Sequence, residues 1–326
     1  MKKIIPLFLI ILLIAGCKSD TKLFDANVSD IKVNFSTERF EKDYYNPQIT
    51  LDVLKQKYPE IFQQPIDSAA VSSINLERKD SMALAIMPET QKIFDEKAIA
   101  VLNEDITELF QHIQYYFPQI KIKKVITIVR RPTDPAFYDP NTQSVIIPLD
   151  YYLGEKSPFY THEYEYTKKY HRKEQILMDI VESIAQILIP KNGDFQNISQ
   201  MIYFGKIQLL KEAFLPNTSD EERMNYTQKE LAWVKANEYN CWNYHLQNED
   251  LFKSDKDFAP RFLDKNVPFS KFYTDDDTQI PPRVGVWQGW QIVRKYAENS
   301  KLDLKNIINN TDANQMYQIS KYKPKK

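Results

Sequence analysis

The chain has 326 residues, 43% hydrophobic and 27% charged, with a formal net charge of -1, a composition that supplies a sizeable core and gives no electrostatic case for nucleic acid. Only six residues are glycine, against an average near 7%. Gly16, Gly154, Gly193, Gly205, Gly285 and Gly289 form neither GxGxxG nor GxxxxGKS/T, so the backbone cradles that hold nucleotide phosphates are disfavoured.

At the N-terminus, Lys2 and Lys3 precede an apolar run from Ile4 to Ala15. Twelve residues at about 1.5 Å each reach roughly 18 Å, too short for a bilayer core of about 30 Å, so the run reads as the apolar region of a signal peptide. Ala15 and Gly16 before Cys17 complete a bacterial lipobox. The expectation is a signal peptide over 1–16, cleaved after Gly16, and a lipidated N-terminus and tether over 17–34. Cys17 Sγ then carries a diacylglycerol and the new amino end a further acyl chain such as palmitate, because two or three chains hold where one does not. Cleavage removes Lys2 and Lys3, leaving 41 basic against 44 acidic side chains and a charge of -3. Cys241 then has no disulfide partner and reads as a buried, inert thiol.

Along the body, 35–326 reads as one α-rich domain. Leu51, Val53, Leu54 and Tyr58 mark a helix ending before Pro59. A long helix is expected from Glu89 to Phe117, with apolar residues near period 3.6 and Pro118 as its stop. Val125–Val129 and Ser144–Ile147 read as strands, and the turn chemistry of 131–135 and 139–141 predicts that they form an antiparallel pair. Helices are expected over Gln175–Ile189 and Ile198–Phe214, then across the charged stretch from Asp220 to about Leu251, and last over Val286–Tyr296. Trp287 and Trp290 belong to the core of that last helix.

No catalytic or metal-binding set emerges. The nearest is His162-Glu163-Tyr164-Glu165-Tyr166, where HExxH needs histidine at 166. His171 lies in a charged, surface-like run, and His112 and His245 fall in helical patterns. A GxSxG elbow is absent, and Asp275-Asp276-Asp277 lacks the glycine and terminal glutamate of an EF-hand loop. Asp179 and Glu182, at i and i+3 on an apolar helix, are the best-placed carboxylate pair. Gly205 and Gly289 stand inside helical patterns, where each costs about 1 kcal/mol against alanine, so close packing should compensate. Lys206, Arg283 and Arg294 accompany these glycines.

The ordered series Leu149-Asp150-Tyr151-Tyr152-Leu153-Gly154, Met201-Ile202-Tyr203-Phe204-Gly205-Lys206-Ile207, Ala213-Phe214-Leu215-Pro216, Val267-Pro268-Phe269-Ser270-Lys271-Phe272-Tyr273, Arg283-Val284-Gly285, Trp290-Gln291-Ile292-Val293-Arg294 and Ser320-Lys321-Tyr322-Lys323-Pro324 resembles the gliding-motility lipoprotein GldB family of Bacteroidetes. The resemblance implies an envelope lipoprotein, facing the periplasm, anchored in a lipid bilayer through acylated Cys17 and working with other gliding and secretion proteins. The family is itself similar to predicted zinc peptidases, in which one apolar helix carries HExxH and a later helix offers a glutamate before a glycine. In this chain the first helix is Leu177-Met178-Asp179-Ile180-Val181-Glu182-Ser183, without histidine, and Phe204 stands where the glutamate would be. The fold that the resemblance implies is an α+β, predominantly helical, zincin-like domain with a small antiparallel sheet. It would be a degenerate, noncatalytic scaffold with no metal, cofactor, nucleotide or nucleic acid, and Asp179, Glu182, Gly205, Lys206, Arg283, Gly289 and Arg294 would line a vestigial cleft or partner surface. Two rival readings remain open: a metal-dependent hydrolase using Asp179, Glu182 and one histidine, and a lipoprotein that binds a nutrient or glycan.

Overall fold

The structure, a computed structural model, describes residues 23–130, 134–191 and 193–326. Gly16, Cys17 and the rest of the signal and lipidation segment lie outside the described residues, as do Arg131–Thr133 of the expected turn. Strand β1 (Ser36–Arg39) is followed by helices α1 (Phe40–Tyr44), α2 (Leu51–Lys57), α3 (Ser68–Glu77), α4 (Ser81–Ile93) and α5 (Glu96–Tyr116). Next come strands β2 (Lys124–Ile128), β3 (Phe137–Asp139) and β4 (Ser144–Pro148), then α6 (Glu165–Lys168), α7 (Gln175–Leu188) and α8 (Asn197–Phe214). Short helices α9 (Asp220–Met224), α10 (Gln228–Ala236), α11 (Glu238–Gln247) and α12 (Phe258–Phe262) lead to α13 (Val284–Ser300), α14 (Leu304–Asn309) and α15 (Ala313–Ser320). The chain is thus mixed α+β and mainly helical.

Several boundaries differ from the sequence expectation, each for a local reason. The helix expected from Glu89 is two helices, because Phe94 leaves helical geometry and the Asp95 side chain accepts from Ala98 N–H, capping a new start. The charged stretch after Asp220 likewise divides. Ser219 with Glu222 and Thr227 with Glu230 form capping boxes, and Asn225 turns left-handed between them at φ 53°. The expected tether is docked from residue 23 onward. Leu23, Phe24 and Val33 lean on the main core, Val28 is buried, and Gln111 Nε2 donates to Ile31 O at 2.9 Å.

The sheet order is β1-β2-β4-β3, and only the β3–β4 pair is antiparallel. The expected antiparallel pairing of 125–129 with 144–147 is therefore corrected: Val125 pairs with Val145 and Ile126 with Ile146 in parallel register. The reason is β3. The turn at 139–143 closes β3 onto β4, with Gln143 at φ 56° supplying the left-handed residue, so the chain reverses twice between β2 and β4. Strand β3 is one of the two edges, and its outward Tyr138 N–H is taken by Ser183 Oγ of α7 at 2.9 Å, which hinders that edge from templating another strand.

Parallel strands buried on both faces read as near-continuous apolar runs, as Val145–Ile147 of β4 do and as Val125–Ile128 of β2 do but for the buried Thr127. Val125, Val145 and Ile147 face the main core with α5, α7 and α8. Ile126, Ile128 and Ile146 face the opposite way, into a smaller cluster with Phe40, Tyr44, Leu54 and Tyr58 of α1, α2 and the turn after it. The inner face is thus closed by long helices and the outer by short ones.

Candidate functional site

The sequence-selected residues come together along α7, α8 and α13, in three separate places. At the crossing of α8 and α13, Gly205 and Gly289 meet. A Cβ built on Gly205 would lie 2.4 Å from the carbonyl carbon of Gly289, and one on Gly289 would lie 1.9 Å from Met201 O. Both contacts are with backbone, so no rotamer change relieves them. The close packing expected for these glycines is found: the two helices touch backbone to backbone within the core.

Arg294 ties the same helix to its neighbours. Its Nε donates to Glu212 Oε2 at 2.8 Å and its two terminal nitrogens to Asp220 at 3.1 and 2.8 Å, while the guanidinium lies 3.8 Å over the Trp290 ring. Burial alone would raise the Asp220 carboxyl, but the Arg294 hydrogen bonds and charge hold it below the usual value. Lys206 is buried as well, and its Nζ donates to the carbonyls of Ile308 at 3.0 Å and of Asn310, satisfying the end of α14. Burial pushes this ammonium down to about 8.

Asp179, Glu182 and Arg283 form the third place, joined by residues that pattern reading did not select. Asp179 is buried and accepts from Tyr152 OH at 2.7 Å. Burial raises its carboxyl to about 6, with the Glu182 charge adding to the rise and Lys265, Tyr152 and Lys211 opposing it. Glu182, one turn on, accepts from Lys211 Nζ at 2.9 Å, and Lys265 approaches its other oxygen at 4.0 Å. Those lysines and Arg283 overcome burial and hold Glu182 well below the usual carboxylate range. Arg283 is buried at the start of α13 with φ 62°, an uncommon conformation for a residue with a long side chain. Its strain is held from both sides: Ser270 Oγ accepts from Val284 N–H at 3.1 Å, and Tyr226 OH donates to Pro282 O at 2.6 Å. Gln208, oriented so that both amide atoms are satisfied, accepts from Arg283 and donates to Arg223 O. Three cations here face two carboxylates, one of them raised toward the neutral form.

The histidines do not join this group. His171, expected at the surface, is buried: Nδ1 lies 2.7 Å from Tyr151 O, Nε2 2.8 Å from Glu163 Oε2, and the ring stacks on Tyr160 at 4.0 Å. A run of lysines and arginine masked that burial, since charged residues usually mark the surface, whereas here Lys168, Lys169 and Arg172 are half-buried beside the ring and only Lys173 is exposed. His245 is fully buried beside Asp250, 3.0 Å away. Asp277 closes its own turn by accepting from Tyr273 N–H and Thr274 N–H. Cys241 is buried, and burial with the Glu238 charge lifts its thiol to about 12. Among the described residues, no group of three or more His, Cys, Asp or Glu side chains is placed to hold a metal ion. None of their helices is long and apolar enough to cross a membrane.

A family model described as gliding motility protein GldB matches residues 21–324. The chain belongs to the GldB family. That assignment makes it a gliding-motility protein, and the match spans both the α7–α8–α13 cluster and the sheet. No curated protein and no solved structure matches.

Proposed function

We propose that this GldB-family protein is a lipid-anchored component of the bacterial envelope that serves gliding by holding other motility or secretion proteins, without catalysis. The observation that carries the noncatalytic part is the Lys211 ammonium 2.9 Å from Glu182. The peptidase resemblance assigns the metal to an apolar helix and a later partner helix, which correspond to α7 and α8. On these helices the donors do not fit zinc. Asp179 is engaged by Tyr152 and biased toward protonation, Glu182 already has lysine partners, and Phe204 offers no ligand. A carboxylate neutralised by a buried amine neither binds a cation readily nor activates water. The zincin-like reading of the fold rests on α7 and α8 packing together over the sheet, with Ser183 of α7 at its edge strand.

Anchoring rests on the lipobox ending at Cys17 and on the family match. Cys17→Ala is expected to accumulate as unprocessed precursor without incorporated fatty acid; normal processing would overturn the anchor. For the central reading, the test is crosslinking and affinity recovery from native envelopes, paired with metal analysis of the purified full chain. Recovery of motility or secretion proteins from a zinc-free protein supports the contact role. Stoichiometric zinc lost on Asp179→Ala or Glu182→Ala would instead establish a hydrolase-type centre.

A further inference from the structure

One opening lies away from the α7–α8–α13 cluster. It is a cavity of about 790 Å³ on the outer face of the sheet, walled by α3 and the start of α4. Its volume lies within the roughly 300–1,000 Å³ of sites that enclose a ligand. Ile128, Ile146 and Phe137 make an apolar floor, continuous with the outer core that α1 and α2 cover on the β1–β2 side. Over the β3–β4 side that cover is missing.

The rim is acidic. Among the described residues, Glu60, Glu77, Asp80, Asp134 and Asp139 line the cavity with a single cation, Arg130, in a chain whose whole formal charge is only -1. The Arg130 pairing with Glu77, at 3.4 Å, is solvent-exposed and correspondingly weak. One buried oxygen of this wall, and a second that lies outside the lining, have no hydrogen-bond donor among the described residues. Glu60 Oε2 is one, although Lys124 holds Oε1 at 2.7 Å. The other is Oδ1 of Asp150, a fully buried carboxylate whose Oδ2 accepts from Arg130 N–H at 3.2 Å. Helix α3 forms the outer wall yet buries none of its residues, and Leu76 beside the cavity is 73% exposed. The exposed Leu76 on the wall and an apolar floor, ringed by carboxylates, fit the methylenes and the charge of an amphipathic basic side chain.

We propose that this cavity docks an extended segment of a partner protein that presents basic side chains next to apolar ones. The proposal rests on, and sharpens, the reading of the protein as a contact component. A membrane surface is a poor fit, because anionic headgroups would meet the five carboxylates. A neutral glycan is also a poor fit, because it would bring no counter-charge to the carboxylates of the rim.

The test uses the full chain in detergent and three probes: a capped pentapeptide alternating leucine and lysine, the same peptide with glutamate for lysine, and a neutral chitooligosaccharide. The lysine peptide should bind, and its affinity should fall at least about tenfold between roughly 0.05 and 0.5 M salt. Glu77→Gln with Asp80→Asn, which keeps a capping side chain at the start of α4, should weaken it at least about tenfold. Leu76→Arg, placing a cation on the exposed rim, should do the same and serves as the second variant if the first melts early. Equal binding of the glutamate peptide or the glycan, no binding of the lysine peptide, or unchanged binding by a folded variant each overturns the proposal. In envelopes the two ideas separate. If wild type recovers no partner, the contact role itself fails, whereas the same partner recovered equally by wild type and both variants removes only the cavity as its docking place.

Discussion

Where α8 crosses α13, two backbones touch through Gly205 and Gly289, and Met201, Leu209 and Trp290 have no exposed surface. On the far side of the sheet, α3 buries none of its residues and borders a cavity of about 790 Å³. Both regions are helical and neither carries a metal-binding cluster among the described residues, yet their side chains are used differently. At the crossing, charges are engaged inside: Arg294 holds Glu212 and Asp220, Lys206 the end of α14, and Lys211 Glu182. Around the cavity the carboxylates also have partners, Lys124 for Glu60, Arg130 for Glu77 and Gln63 with Thr142 for Asp139, but those contacts lie at the edge of open space. Motif reading led to the first region because its residues are distinctive, but distinctive residues there hold the fold, while the surface open to a partner is made of ordinary ones.

This contrast can be broken by substitution, beginning with the largest effect. Gly289→Ala places a methyl 1.9 Å from Met201 O, so the helices must separate; a loss of about 3 kcal/mol is expected in chemical denaturation despite the better helix propensity of alanine. A loss below about 1 kcal/mol would mean that the crossing is looser than the rest of the core. Next comes Lys211→Met, which leaves Glu182 with Lys265 and Arg283 alone and should cost about 2–3 kcal/mol. Adding Glu182→Gln should restore most of it, and a failure of that rescue would show that the two residues are not coupled.

A pH measurement sharpens the same side of the comparison. The Asp179 carboxyl is raised from 3.8 to about 6, so between those values the folded protein holds more proton than the unfolded chain and stability falls as pH rises. Asp179→Asn, which keeps an acceptor for Tyr152, should therefore raise stability by about 1–3 kcal/mol at pH 7.5, with the advantage disappearing below about pH 4. A gain that persists unchanged at pH 4 would point to packing and away from titration. The smallest effect belongs to the open region: Leu76→Ala, at a side chain 73% exposed, should change stability by no more than about 0.5 kcal/mol. Loss of peptide binding with that stability retained would separate a docking surface from a structural one.

Much of this architecture was legible in the chain. The apolar period of 175–188 and 198–214, the prolines that end them, and the strand runs at 125–129 and 144–147 all announce their elements. Gly205 and Gly289 were equally informative, because a residue that weakens a helix persists where only hydrogen fits. Short elements were not legible: β1 and β3 have four and three residues, too few for a period to show. The cavity had no signal either, since its floor residues look like any buried strand and its carboxylates are scattered from Glu60 to Asp139.

The sequence by itself determined the family, the long helices and the need for close contact at two glycines, because each is written in local chemistry or spacing. Only the tertiary structure decided that β2 and β4 run parallel, that His171 turns inward, and that Arg294 and Lys206 find their partners within the fold. Strand direction depends on how often the chain reverses between strands, and a side chain's role depends on which distant groups desolvate and pair it. Both are set by contacts between residues far apart in the chain.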